Sequence, residues 1–301
     1  MSDIILPELM PAITSLAASK VRIRLGKVPA GIAAPGEKTA THQVAKGQFL
    51  FPVQGVACYY VANGNSIVVE PVEGAQEYDV RLFLLGTSFG ALLMQRGLLP
   101  LHGSAVVIDG RAVVFTGVSG AGKSSLLAAF RKRGYPFLTD DVVAVTVNPD
   151  GSARVHPSYP QQKLWRDSTE AIGVETSSLT PFDTRDDQEK FAVQAMQGFW
   201  PSPVPLASVY EVQVTRRRGI TLRSLAGMDK LAVLLNHTYR ACLVDGLGLK
   251  AAHFKQCVAV ARQVAVARLT RPQNLFSLEE QVRRIEEDLA QQFVDKEVDA
   301  I

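Results

Sequence analysis

Gly117-Val118-Ser119-Gly120-Ala121-Gly122-Lys123-Ser124 fits the pattern G-x-x-x-x-G-K-S/T, and its surroundings decide the fold. The apolar run Ala112 to Phe115 before it reads as a buried strand. Ser124 to Arg133 after it reads as a helix, with Leu126, Leu127 and Phe130 on its buried face. Strand, glycine-rich loop and helix together are the context the motif requires. Glycines let the backbone approach phosphate oxygens and adopt positive φ. Successive N–H groups and the positive helix end then cradle an anion. Lys123 is positioned to reach β- and γ-phosphates, and the Ser124 hydroxyl to ligate Mg²⁺. The phosphate-binding set is thus Gly117, Val118, Ser119, Gly120, Ala121, Gly122, Lys123, Ser124 and the adjoining Ser125, with ATP and Mg²⁺ as cofactors.

A phosphate cradle alone specifies no reaction, and three flanking residues narrow it. His102 stands at the start of an apparent strand, Ser104 to Ile108. Asp140 and Asp141 interrupt the apolar run Phe137 to Val147, a strand expected beside the loop's own strand in a βαβ unit. A carboxylate there can hold Mg²⁺ directly or through water, or take a proton from an attacking hydroxyl. Two adjacent carboxylates allow those tasks to be divided.

Three segments in series resemble the catalytic core of HPr kinase/phosphorylase. They are Leu101-His102-Gly103-Ser104-Ala105-Val106, Thr116 to Ser124, and Leu138-Thr139-Asp140-Asp141-Val142. The resemblance implies an α/β P-loop serine kinase with a fold like phosphoenolpyruvate carboxykinase. It implies His102 near the transferred phosphate, Asp140 activating the substrate hydroxyl, and Asp141 supporting Mg²⁺ or the position of Asp140. A looser likeness, through Leu84-Leu85-Gly86 and Gln95-Arg96-Gly97, is to HPr-kinase-like proteins beside peptide-modification systems, including lasso-peptide kinases.

The chain also departs from that family. Val118 stands where bifunctional members carry an acidic residue, and no E-x-R-G-L-G follows Asp141; the nearest segment is Gln162-Lys163-Leu164-Trp165-Arg166-Asp167. These departures point to a specialised kinase acting on a peptide or small-protein Ser, rather than to a phosphorylase or to HPr as substrate. Glu175, Asp183, Asp186, Asp187 and Glu189 are the acids that could replace the missing Glu, and Lys190 is a further phosphate contact to weigh. The family's members form homo-oligomers, and the resemblance extends that expectation here. Two rival readings are a kinase of a small-molecule hydroxyl and a nucleotide-binding regulator without useful catalysis.

Outward from the centre, a mostly-β N-terminal module is expected over 1–77 and the kinase domain over 78–301. Val21, Ile23 and Leu25 alternate with arginines, as in a strand. Residues 27–47 read as loop. Gln48 to Phe51, Val56 to Val61 and Ser66 to Val69 read as strands, the last two joined by the hairpin signal Ala62-Asn63-Gly64-Asn65. Asp79 to Gly97 reads as one helix, with Gly86 and Gly90 permitting close packing. A short helix is expected near Leu9 to Ala18. Residues 157–205 read as loops with short helices at Gln162 to Trp165 and Ser168 to Ile172.

Farther on, Val209 to Val214 and Ile220 to Ser224 read as strands flanking a solvated tip at Arg216-Arg217-Arg218. Met228 to His237 and His253 to Ala267 read as helices. The last helix opens on the capping box Ser277-Leu278-Glu279-Glu280 and carries the stripe Leu278, Val282, Ile285, Leu289 and Phe293.

The 301 residues are 47% hydrophobic and 20% charged, ordinary for a globular protein. A net charge of +3 gives no reason to expect nucleic acid or a membrane as partner. The three cysteines, Cys58, Cys242 and Cys257, lack C-x-x-C spacing, which argues for a reducing compartment and against structural zinc. The N-terminus lacks the basic region of a signal peptide, and the expectation is a cytoplasmic protein.

Overall fold

The computed structural model describes residues 1–11, 20–166, 169, 181–185, 188–273 and 277–298. Its first six strands are β1 (Arg22–Leu25), β2 (Glu37–Lys38), β3 (Gln43–Ala45), β4 (Gln48–Val53), β5 (Ala57–Ala62) and β6 (Ser66–Pro71). They form one sheet in the order β1-β6-β5-β4-β3-β2, with β1 joining β6 in parallel. The β5–β6 turn places Asn63 at φ 53° and Gly64 at φ 64°, the two positive values a tight hairpin requires. The β2 and β3 segments lie where the sequence suggests loop. Strands of two and three residues are too short to display alternation.

The single helix expected over Asp79 to Gly97 is instead three pieces. Helix α1 (Glu77–Phe83) and helix α2 (Phe89–Gln95) are joined by a π-helical turn, Leu84–Ser88. Val80, Leu84, Ala91, Leu92 and Met94 pack on the first sheet with Tyr59, Val61 and Val69. The first sheet and these helices share one buried core. Gly86 and Gly90 face Tyr239; a Cβ on Gly90 would stand 2.7 Å from the Tyr239 ring. Close packing, expected from the glycine spacing, is what the turn provides.

The chain continues through β7 (Leu99–Ile108), β8 (Arg111–Thr116), α3 (Lys123–Lys132), β9 (Phe137–Val147), β10 (Ala153–His156), β11 (Gln161–Trp165), β12 (Pro181–Arg185) and β13 (Gln188–Gln194). It then runs through β14 (Val204–Thr215), β15 (Thr221–Ser224), α4 (Gly227–Asn236), α5 (Leu243–Gly246), α6 (Lys250–Gln263), β16 (Ala265–Pro272) and α7 (Leu278–Val298). The central sheet has the order β10-β9-β7-β8-β14-β16-β15. One face buries Leu231, Leu234, Cys257 and Val260 of α4 and α6. The other buries Leu126, Leu127 and Phe130 of α3 with Val282, Ile285 and Leu289 of α7. The result is a mixed α/β fold with several sheets, its large sheet sandwiched between helices.

Four sequence expectations are corrected here. First, β9 does not lie beside β8: β7 is inserted between them and pairs antiparallel with both. An antiparallel strand that precedes the P-loop strand leaves no trace in a βαβ pattern. Second, β14 and β15 are not a hairpin around the arginines, because β16 separates them. Third, Gln162 to Trp165 is strand, not helix; β11, β13 and β12 make a three-stranded sheet within the expected loop region. Fourth, the helix expected to reach Ala267 ends at Gln263, and the chain turns into β16.

Arg216, Arg217 and Arg218 are exposed, as expected. The helix near Leu9 to Ala18 and the one at Ser168 to Ile172 fall largely outside the described residues. Among the described residues, no helix is long and apolar enough to cross a membrane.

Candidate active site

Strand β8 is buried from Ala112 onward and ends at Thr116, and Gly117 follows it. Gly117 has φ 146°, and a Cβ there would stand 2.4 Å from the Val212 carbonyl oxygen. Only glycine fits so close to the neighbouring strand. The loop then delivers Gly122, at φ 102°, as the residue before α3. Arg271 of β16 braces the loop from behind, its Nε donating to the Ala121 carbonyl at 2.8 Å. Ser104 Oγ donates to the Lys123 carbonyl at 3.1 Å and ties β7 to the helix start.

Lys123 is 8% exposed and folds back across the loop. Its Nζ donates to the carbonyls of Gly117 at 2.9 Å and Val118 at 3.0 Å. Burial pulls its pKa down to about 8, against the opposing pull of Asp140 and Asp141. Val118 stands exposed at the loop tip.

The two aspartates have different surroundings. Asp140 is 6% exposed and enclosed by donors. Ser124 Oγ donates to its Oδ1 at 2.9 Å, and the Lys163 backbone N–H donates to its Oδ2 at 2.8 Å. Burial raises its pKa, against those two hydrogen bonds.

Asp141 has φ 87°, a left-handed conformation that costs a residue with a Cβ about 1 kcal/mol or more. Its Oδ2 accepts from Lys163 Nζ at 2.8 Å, and its Oδ1 lies 3.5 Å from His102 Nδ1. Burial works to raise the pKa of Asp141, but Lys163 and His102 outweigh it and hold the group down to about 2. Lys163 is raised: burial opposes its charge, and the facing Asp141 and Tyr159 prevail.

His102 Nδ1 lies 3.1 Å from the Asp141 carbonyl oxygen. A carbonyl only accepts, so Nδ1 carries the proton and Nε2 keeps its lone pair. Burial and then the Lys123 charge lower the His102 pKa to about 4, which makes the ring neutral at pH 7. The β7–β9 register fixes this geometry: Gly103 pairs with Asp141 and Ser104 with Asp140.

A cleft of about 850 Å³ opens over the loop. It is lined by Gly117, Val118 and Ser119 of the loop, by His102, Asp141 and Lys163, and by Thr87, Tyr239 and Arg240. The sequence reading thus brings His102, Lys123, Ser124, Asp140 and Asp141 to one place. Lys190 also lines the cleft, with its ammonium 5.5 Å from the Trp165 ring.

Among the acids considered as replacements, Glu189 alone has a described side chain. Glu189 pairs with Arg166, whose Nε donates at 3.0 Å. Glu175, Asp186 and Asp187 lie outside the described residues, as does the side chain of Asp183. Lys163, Arg271 and Tyr239 were not legible as site residues. Lys163 sits in a short segment resembling a helix, and the other two arrive from strands and turns far along the chain.

Ser124 Oγ and the Asp140 carboxylate form a hard, all-oxygen pair suited to Mg²⁺. Among the described residues, no cluster of three or more His, Cys, Asp or Glu could hold a metal alone.

No family model and no curated protein matches the sequence. Among solved structures, the chain is similar to the HPr(Ser) kinase/phosphatase from Coxiella burnetii, at 12% identity and a TM-score of 0.33. The alignment covers 64% of this chain and 98% of that one.

Proposed function

We propose that this protein is an ATP-dependent kinase that transfers the γ-phosphate to a serine hydroxyl of a peptide or small protein. The observation that carries the reading is the juxtaposition of a phosphate loop with a carboxylate pair. Ser124 Oγ touches Asp140, and Asp141 with His102 faces the same cleft as Gly117, Val118 and Ser119. A regulator that only binds nucleotide has no need of two carboxylates and a neutral imidazole beside the phosphates. The motif resemblance to HPr kinase/phosphorylase supports the same reading.

In this reading the loop amides and Lys123 hold the β- and γ-phosphates. Lys123 exchanges its bonds to the Gly117 and Val118 carbonyls for phosphate oxygens. Mg²⁺, held by Ser124 beside Asp140, would supply positive charge to the phosphates. A carboxylate of the pair receives the proton of the incoming hydroxyl. The tightly drawn loop, braced by Arg271, needs little reorganisation as negative charge shifts during transfer.

The test is transfer of labelled γ-phosphate from ATP to a library of serine-containing peptides and, in parallel, to small alcohols. Peptide labelling by the intact chain is expected, with a loss of about 10³-fold in Lys123→Met. Labelling of small alcohols alone moves the acceptor class. ATP binding without any transfer returns the protein to the regulators.

A further inference from the structure

Strands β14 and β15 follow one another in sequence but are separated in the sheet by β16, so the chain between them crosses the end of β16. Arg216, Arg217 and Arg218 make that crossing, and all three are exposed. Its base is firm. The Thr215 carbonyl accepts from the Gln273 N–H at 3.0 Å, and the Arg217 N–H donates to Thr215 Oγ1 at 3.2 Å. Gly219 turns the chain at φ 88°, and Ile220 is buried on the far side of the crossing.

The crossing stands at the loop end of the sheet. β14 lies between β8 and β16, and its Val212 carbonyl abuts Gly117. Arg216 follows Val212 by about 13 Å, at roughly 3.3 Å per residue. The strand being crossed is the one whose Arg271 braces the loop at Ala121. Segments 117–122, 215–220 and 271–273 carry Arg216, Arg217, Arg218 and Arg271, and no acid.

Elsewhere on the surface arginines find carboxylates: Arg133 meets Glu279 and Glu286, Arg283 meets Glu287, and Arg284 meets Glu280. Among the described residues, Arg216, Arg217 and Arg218 meet none. Three adjacent like charges repel, and carboxylates arriving from a partner relieve that repulsion. Each guanidinium offers a planar fork that takes a carboxylate through two parallel bonds. Three cations match a short acidic run. They fall short of the roughly six to ten phosphate contacts of a nucleic-acid site, and the net charge of the chain is only +3.

We propose that the crossing at Arg216 to Arg218 docks an acidic segment of the peptide or protein that brings its hydroxyl to the cleft. About four extended residues span the distance from the crossing to the loop, which sets the spacing between the acids and the acceptor. The partner's role as acceptor rests on the kinase reading above; the docking itself does not. A segment held there raises the local concentration of the acceptor, so the gain falls in KM and not in kcat.

The experiment uses the full chain and two fluorescein-labelled peptides. In one, a run of Glu stands about four residues from a single Ser; in the other, Gln replaces each Glu. By fluorescence anisotropy at low salt, the Glu peptide is expected to bind about 10-fold more tightly than the Gln peptide. Arg216→Gln, Arg217→Gln and Arg218→Gln combined should abolish that preference. The three corresponding Arg→Glu changes should transfer it to a Lys version of the peptide. Affinity for a fluorescent ATP analogue should change less than about twofold in either variant, and in transfer assays KM for the Glu peptide should rise about 10-fold at constant kcat. Arg22→Gln with Arg24→Gln, exposed arginines on β1 of the other sheet, is the control and should bind the Glu peptide as wild type does.

Equal binding of the Glu and Gln peptides by wild type overturns the proposal, as does a preference that survives in the triple Gln variant. An equal loss in the β1 control overturns it by reducing the attraction to overall charge. A matching loss of nucleotide affinity overturns it by giving the arginines to the nucleotide. Tighter binding of an oligouridylate of the same charge overturns it in favour of nucleic acid. A wild type that binds the Glu peptide through these arginines yet transfers phosphate to no peptide overturns the kinase reading and leaves the docking surface standing.

Discussion

The two sides of the cleft are built by opposite means. The phosphate side is one continuous stretch: β8, the loop from Gly117 to Gly122, and α3. The second side, the rest of the lining, is assembled from five places, namely His102 on β7, Asp141 on β9, Lys163 on β11, Thr87 on the π-helical turn, and Tyr239 with Arg240 after α4. The first side is held mainly by backbone geometry and short-range bonds, such as Lys123 to its own loop. The second is held by charge pairs and close packing between distant segments. A contiguous site should therefore tolerate the loss of one side chain better than an assembled one, and that contrast can be tested.

The largest difference is expected at the two buried lysines. Lys163→Met leaves the Asp141 carboxylate without its close cation, in a site where Asp140 already carries a raised pKa from burial. Removing one partner of such a pair costs about 3–5 kcal/mol. Lys123→Met gives up hydrogen bonds to two carbonyls, worth about 1–2 kcal/mol together, and a longer-range attraction to Asp140 and Asp141 with no direct contact. Urea unfolding of both variants at pH 7 measures the gap. A Lys123 variant that loses more stability than the Lys163 variant would erase the contrast between the two sides.

The same contrast governs what could be read from sequence. Gly117 to Ser124 is legible because each residue's task follows from its neighbours: strand, turn, helix start. His102 and the Asp140–Asp141 pair were legible as chemistry, since acids and a histidine in apolar strands are out of place. Their mutual geometry was not. It depends on β7 entering between β8 and β9, a long-range pairing with no local signature. Lys163 was hidden because β11 is buried along most of its length, so its residues show no alternation of polar and apolar faces. The π-helical turn was hidden because the residue that Gly86 leaves room for, Tyr239, lies far along the chain.

The helix that follows that turn, α2, gives the second prediction. A Cβ on Gly90 would meet the Tyr239 ring at 2.7 Å, and Tyr239 is pinned by its own amide, which donates to the Pro100 carbonyl at 2.9 Å. Gly90→Ala should therefore destabilise by about 2 kcal/mol through overpacking. In a Tyr239→Ala background the same change should be neutral or favourable by about 0.5–1 kcal/mol, since alanine is the better helix former. The four proteins form a double-mutant cycle read by denaturant midpoints. Equal costs in both backgrounds would show that the helix and the Tyr239 part of the cleft are not packed together as described.

The smallest effect expected is a pH dependence at Glu211, which lies at the join between the two sides. It accepts from Arg268 Nε at 2.6 Å and contacts His237 Nε2 at 2.8 Å. The His237 carbonyl in turn accepts the His102 amide at 2.7 Å, so this carboxylate indirectly supports the lining of the cleft. Burial works to raise the Glu211 pKa, but the bonds from His237 and Arg268 dominate and bring it from 4.5 to about 2. A carboxyl whose pKa is lower folded than unfolded binds fewer protons in the native state. Its stabilisation is complete above pH 4.5 and is lost as pH falls toward 2. Allowing for solvent on the cleft side, the contribution is about 1–2 kcal/mol. Wild type should thus exceed Glu211→Gln by that margin at pH 6, and the two should converge between pH 4 and pH 2.5 in thermal or urea melts. A margin that stays constant across that window would mean that Glu211 acts by shape and hydrogen bonding alone, leaving its charge no part in joining the two sides.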